Sequence, residues 1–148
     1  MSPGKLDPQV IRRHLMALRR TVAVLGRHRG CTVENLESDP DLRWSIERGL
    51  QLCAQNAIDL ATHIAVASGL DVPDYATAID ALSDLDVLPR DFARRFRGVA
   101  GLRNVLVHGY LEVDTNVVVA LLNERLGDFL EFADHVEEFT ERHAGRPE

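Results

Sequence analysis

Residues 39–69 read DPDLRWSIERGLQLCAQNAIDLATHIAVASG. Asp39 is a favoured helix cap, and Pro40 suits a first helical position because its missing N–H is one that a helix start leaves unbonded anyway. From there Leu42, Ile46, Gly49, Cys53, Ala57, Leu60, Ile64 and Ala67 keep a helical period as far as Gly69. Ile58, Ala61, Ala65 and Val66 carry the apolar surface around a second side. A helix this long with two apolar sides is expected to be central, packing against more than one neighbour, of which a partner subunit is a candidate.

The flanking sequence supplies those neighbours. Upstream, Asp7-Pro8 repeats the start signal, and Ile11, Leu15, Leu18, Val22 and Leu25 form one apolar seam opposite Arg12, Arg13, Arg19, Arg20 and Arg27. Residues 30–38 read as a loop. Downstream, the turn Asp71-Val72-Pro73-Asp74 leads to a short helix near 75–85, and Pro89 opens a fourth helix carrying Phe92, Phe96, Val99 and Leu106. Asp114 caps a fifth, expected to run to about Thr140 with Val118, Leu121, Leu122, Leu126, Phe129, Ala133 and Val136 inward and an acidic outer face. No stretch alternates as a strand would. The expectation is an all-α chain of about five helices, a single domain over 1–148 with its core at 7–140 and a frayed tail at 141–148.

With 45% hydrophobic and 27% charged residues the composition is that of an ordinary globular protein, which excludes a disordered or fibrous chain. The apolar runs are broken by charge well short of a membrane span and the N-terminus lacks an apolar signal core, so a cytoplasmic protein with no membrane partner is expected. Cys31 and Cys53 lack metal spacing and read as reduced, structural thiols. His14, His28, His135 and His143 have no partner at ligand spacing, and no carboxylates cluster, so neither metal nor cofactor is expected. The net charge of -6 conceals two basic stretches, 1–30 (seven basic, one acidic) and 90–103 (five basic, one acidic), set against acidic remainders. Such stretches are either solvated helix faces or places that receive a polyanion.

The second of them runs into Arg103-Asn104-Val105-Leu106-Val107-His108-Gly109-Tyr110. On one continuous helix Arg103 falls inside the stripe of Phe92, Phe96, Val99 and Leu106. A guanidinium keeps its charge, so it needs an acid from another helix, carbonyls, or a bound anion. His108 would point about 140° from Arg103 on that helix. Convergence of the two therefore predicts that the helix ends in between, with a last turn at 104–107, Gly109 as the stop and His108 bending back. Asn104 then caps free carbonyls or holds the imidazole, and Tyr110 offers a hydroxyl and a stacking face. A capped helix end around a packed histidine, with Tyr110 as a lid, satisfies the spacing equally well. Asn56 and His63, seven residues apart on the flank of the long helix, either line the same groove or are plain helix surface.

Arg-x4-His-x-Tyr with asparagine after the arginine resembles the signature of the HEPN superfamily, and the local string resembles its HepT branch. The resemblance runs from about residue 7 to 140 and includes Val87-Leu88-Pro89 at the start of the motif helix and Glu112-Val113-Asp114 leading into the last. It implies an up-and-down helical bundle that forms a homodimer with both motifs facing one cleft. It further implies an RNA endonuclease toxin of a type VII toxin–antitoxin pair, with His108 and Arg103 as nuclease residues. The partner would be MntA, a minimal nucleotidyltransferase antitoxin that disables the nuclease by adenylylating Tyr110. The side chains suit such roles. RNA carries its own nucleophile in the 2'-oxygen, so cleavage needs proton transfer, which His108 can supply, and a phosphate clamp, which Arg103 can supply, but no metal. Asn104 would position one of them, and Arg90, Arg94, Arg95 and Arg97 could track an RNA backbone. The competing readings are a non-catalytic helical dimer that binds a nucleotide or a nucleotidyltransferase, and a plain interaction module.

Overall fold

The computed structural model describes residues 6–108 and 113–144, and every regular element among them is helical. In chain order these are α1 (Pro8–Gly26), α2 (Val33–Ser38), α3 (Pro40–Ala67), α4 (Tyr75–Asp84), α5 (Arg90–Phe96), α6 (Val99–His108), α7 (Thr115–Ala120), a π-helical turn (Leu121–Arg125) and α8 (Leu126–Ala144). The expected all-α class holds.

Helix α3 is the axis. The Asp39 carboxylate accepts from the Leu42 amide at its start, and at its end Gly69 takes a left-handed φ of 84°. There the Leu70 and Gly69 amides return to the carbonyls of Ala65 and Val66, which closes the helix as a Schellman turn. Ile46, Leu50, Cys53, Ala54, Ala57, Ile58, Leu60, Ala61, Ile64 and Ala65 are all buried, so the helix is enclosed on two sides by α1, α4, α6 and α8. Burial pushes the Cys53 thiol up to about 12, which keeps it protonated and inert. The seam of α1 lies against α3, and at Gly49 the approach is so close that an added Cβ would sit 2.6 Å from Leu25 Cδ2.

Three elements differ from the sequence expectation. Residues 33–38 are a helix, not loop: Thr32 and Asn35 form a reciprocal capping box and Leu36 is fully buried. The expected single helix from Pro89 breaks at Arg97–Gly98 into α5 and α6. Glycine is a poor helix former, and at this break Arg97 is held by the Asp80 carboxylate of α4, with Nε and Nη2 at 3.0 and 3.1 Å. The last helix runs through Ala144, beyond the expected end at Thr140, while 145–148 lie outside the described residues.

The π turn has a local cause. Val118, Leu122 and Leu126 are buried at two successive steps of four, which drift around an ordinary α-helix, and the wider turn keeps all three facing inward. Its Asn123 accepts from the Gly30 amide and donates to the Cys31 carbonyl, pinning the loop after α1. Phe96 stacks on Phe132 and meets Phe129 edge-on, which seats α5 on α8. Arg19 on α1 binds Asp134 and Glu137 of α8; burial opposes its charge, but those two acids raise its pKa.

Candidate functional site

Helix α6 lies along α3 and touches α4. Within α6 alone, Arg103 leaves the helix within about 40° of Val99 and Val107, so it still faces the core side despite the break that removed the longer stripe. It is half-buried.

Its environment is not the ion pair that an arginine so placed ordinarily needs. Nε donates to Oε1 of Gln55 on α3 at 2.9 Å, the guanidinium carbon lies 5.2 Å from the centroid of the Tyr75 ring on α4, and Nη1 donates to Oδ1 of Asn104 at 3.3 Å. Gln55 is itself oriented, its amide nitrogen donating to Asp59 Oδ1 at 2.8 Å. Among the described residues no carboxylate stands within ion-pairing distance of Arg103. The cation is held, among the described residues, by neutral groups, amides and a π-face.

His108 corrects the sequence expectation. The helix does not stop before it: α6 runs through His108, its last residue, which is exposed. Arg103 and His108 therefore leave one helix about 140° apart, and the exposed Asn104 stands between them, about 40° from His108. The expected bend that would fold His108 back onto Arg103 within one chain is absent. Gly109 and Tyr110 lie outside the described residues. Where the described chain resumes, Arg43 of α3 donates to the Val113 carbonyl and to Glu47, anchoring the segment beyond the motif.

The basic run sorts into two kinds. Arg97 is bound by Asp80, and Arg95 lies over the Phe92 ring with Asp128 and Glu131 at 3.7 and 3.6 Å. Arg90 and Arg94 are exposed beside Arg97 on a shallow surface that also carries Asp80, Ser83 and Asp84. Asn56 and His63 belong to the fold: Asn56 Oδ1 meets His14 Nδ1 at 2.9 Å, and His63 Nε2 accepts from the Asp7 amide at 3.1 Å, both tying α3 to α1. Among the described residues no three His, Cys, Asp or Glu side chains gather as metal ligands would.

Sequence reasoning missed Gln55, Asp59 and Tyr75. The one local signal was the Gln55–Asp59 pair at i,i+4, a spacing that suits an amide–carboxylate hydrogen bond.

The model of the ribonuclease HepT-like family matches residues 10–136. The chain belongs to that family. HepT-like relatives include an mRNA nuclease HepT of Shewanella oneidensis, 29% identical over 66% of this chain and 74% of the relative. A tRNA nuclease HepT of Aphanizomenon flos-aquae is 28% identical over 84% of this chain and 85% of its own length. Among solved structures, the tri-AMPylated Shewanella oneidensis HEPN toxin in complex with MNT antitoxin matches with a TM-score of 0.78 at 24% identity, over 89% of this chain and 99% of that one. The HepT-like fold is thus shared with HEPN toxins. No helix among the described residues is long and apolar enough to cross a membrane.

Proposed function

We propose that this chain is a ribonuclease toxin that cuts RNA without a metal ion, using Arg103 as phosphate clamp, His108 in proton transfer and Asn104, which accepts from Arg103, as a positioning residue. The observation that carries this reading is the guanidinium of Arg103 held by Gln55 and Tyr75 with no acid against it among the described residues. A half-buried cation left uncompensated is suited to an anion, and the fork of arginine matches a phosphate. The relatives, an mRNA nuclease and a tRNA nuclease, support RNA as the anion's source.

In the reaction, the 2'-hydroxyl oxygen attacks the adjacent phosphorus while its proton passes to a neutral imidazole. The P–O5' bond breaks, and the 5'-oxygen takes a proton from an imidazolium. The products are a 2',3'-cyclic phosphate and a 5'-hydroxyl. Arg103 stabilises the charge that builds on the phosphoryl oxygens. Because Arg103 and His108 point about 140° apart on α6, a homodimer suits the chemistry: a second copy supplies another His108 and Arg103 to one cleft, and so both acid and base. The exposed Trp44 and Val105, on α3 and α6, offer apolar surface to such a contact.

On this reading the chain acts as one domain in the cytoplasm, with Arg90 and Arg94 steering the RNA backbone and Arg95 and Arg97 mainly bracing helices. An MntA-like nucleotidyltransferase partner silences it by adenylylating Tyr110, which adds negative charge and bulk two residues along the chain from His108. The structure of a tri-AMPylated HEPN toxin with its MNT antitoxin supports that arrangement. The test is purified protein with RNA: the wild type cuts, while Arg103→Ala and His108→Ala, folded as judged by circular dichroism, do not. Intact RNA with active-concentration wild type would overturn the proposal. For the modification, co-expression with the partner should raise the mass by whole AMP units on Tyr110, and Tyr110→Phe should block the increase.

A further inference from the structure

We infer that Gln55 is a positioning residue for Arg103: a neutral amide, itself aimed by Asp59, that orients the guanidinium without consuming its charge. The inference rests on the proposal that Arg103 clamps RNA phosphate. Three observations carry it. Arg103 Nε spends its hydrogen on Gln55 Oε1 at 2.9 Å, which fixes one edge of the guanidinium plane. The amide cannot flip without cost, because its nitrogen donates to Asp59 Oδ1 at 2.8 Å. Finally, Tyr75 supports the face of the guanidinium, so that among the described residues the three contacts that hold it are with uncharged groups.

The arrangement separates aim from charge. A carboxylate in place of Gln55 would orient the guanidinium at least as firmly, but as an ion pair it would compete directly with phosphate. Here the carboxylate exists but stands one residue-contact further back, at Asp59, where it polarises the amide and leaves the guanidinium cationic. The chain thus has an acid, an amide and an arginine in series, on two turns of α3 and the middle of α6.

Exchanging the first two tests this directly. The double variant Gln55→Glu/Asp59→Asn keeps net charge, side-chain size and the number of hydrogen bonds: the asparagine amide donates to Glu, and Glu accepts from Arg103. Only the distance of the negative charge from the guanidinium changes. A merely structural role for Gln55 predicts an unchanged unfolding midpoint and unchanged cutting. The inference predicts an unchanged or higher midpoint with kcat and kcat/KM for a defined RNA both lowered about tenfold or more, as expected when a transition-state contact weakens. The single variant Gln55→Ala, at a half-buried position in a helix that alanine favours, serves as a second probe. It should lower kcat about tenfold through a wandering guanidinium, with the fold retained. Wild-type kcat in both folded variants, while Arg103→Ala is inactive, would overturn the role of Gln55 and leave the ribonuclease reading standing. Full activity of Arg103→Ala would instead overturn the clamp itself, and Gln55 with it.

Discussion

Arg97 grips Asp80 through Nε and Nη2 at the turn where the motif-bearing helix divides. The contact locks the end of α5 to α4 and so sets the line along which α6 departs with Arg103, Asn104 and His108. It also engages one arginine of the basic run with an acid, whereas Arg90 and Arg94, equally exposed, have no ion pair among the described residues.

That division predicts different behaviour from neighbouring arginines. Arg90→Ala and Arg94→Ala should each lower the slope of log binding affinity against log salt by about 0.7 for single-stranded RNA. Arg97→Ala should leave the slope nearly unchanged and cost about 1 kcal/mol or less of stability, because the pair is half exposed. Binding titrations at several salt concentrations read the first, and urea unfolding the second.

Asp86 follows α4 with a left-handed φ of 60°, while the Val87 and Asp86 amides return to Leu82 and Ser83. A residue with a Cβ is strained there, though aspartate bears it better than most. Asp86→Gly should therefore stabilise the protein by roughly 0.5 to 1 kcal/mol. A lowered urea midpoint would show that the Asp86 side chain does more than occupy the turn.

At the other end of α4, hydrogen bonds from Thr77, the backbone amide first, hold the Asp74 carboxyl below the usual carboxylate range. Its folded value is depressed, so its stabilisation is present above the unfolded value and is lost as pH falls through the folded one. Asparagine caps without titrating. The wild type should lose its melting-temperature advantage over Asp74→Asn on acidification, read by thermal melts from neutral pH to below pH ~3.

Gly49 sits where α1 and α3 touch, facing a Leu25 that is 2% exposed. Gly49→Ala gains helix propensity of about 1 kcal/mol but forces Leu25 out of its place, an overpacking cost of typically 1–3 kcal/mol. The expected net is a loss of roughly 1 kcal/mol, or a few degrees in Tm, by calorimetry.

The main helices could be read from the sequence because their signals are local: Asp7-Pro8, Asp39-Pro40 and Asp114 all cap as expected, the stripe of α1 is buried throughout, and that of α3 is buried at Ile46, Cys53, Ala57, Leu60 and Ile64, while Leu42, Gly49 and Ala67 are half-buried and Val66 is exposed. Helix α2 was readable too, in Thr32 and Asn35, but a six-residue helix with one buried leucine leaves little period to see. The division at Arg97–Gly98 was not, since it depends on Asp80 from another helix. The same holds for the site. Arg103 stood out as a cation on the core side of a helix, yet Gln55 and Tyr75 reach it from α3 and α4, and nothing near Arg103 in sequence announces them. That α6 continues through His108 was not readable either, because a glycine at 109 permits a helix stop without fixing which residue makes the last turn.

Metal-free transesterification by Arg103 and His108 is tested most directly by the ends of the RNA fragments made in excess EDTA. The account predicts undiminished cutting, with 5'-hydroxyl and 2',3'-cyclic phosphate ends that vanish with His108→Ala. Cutting that stops with the chelator, or fragments that carry 5'-phosphates, would contradict it.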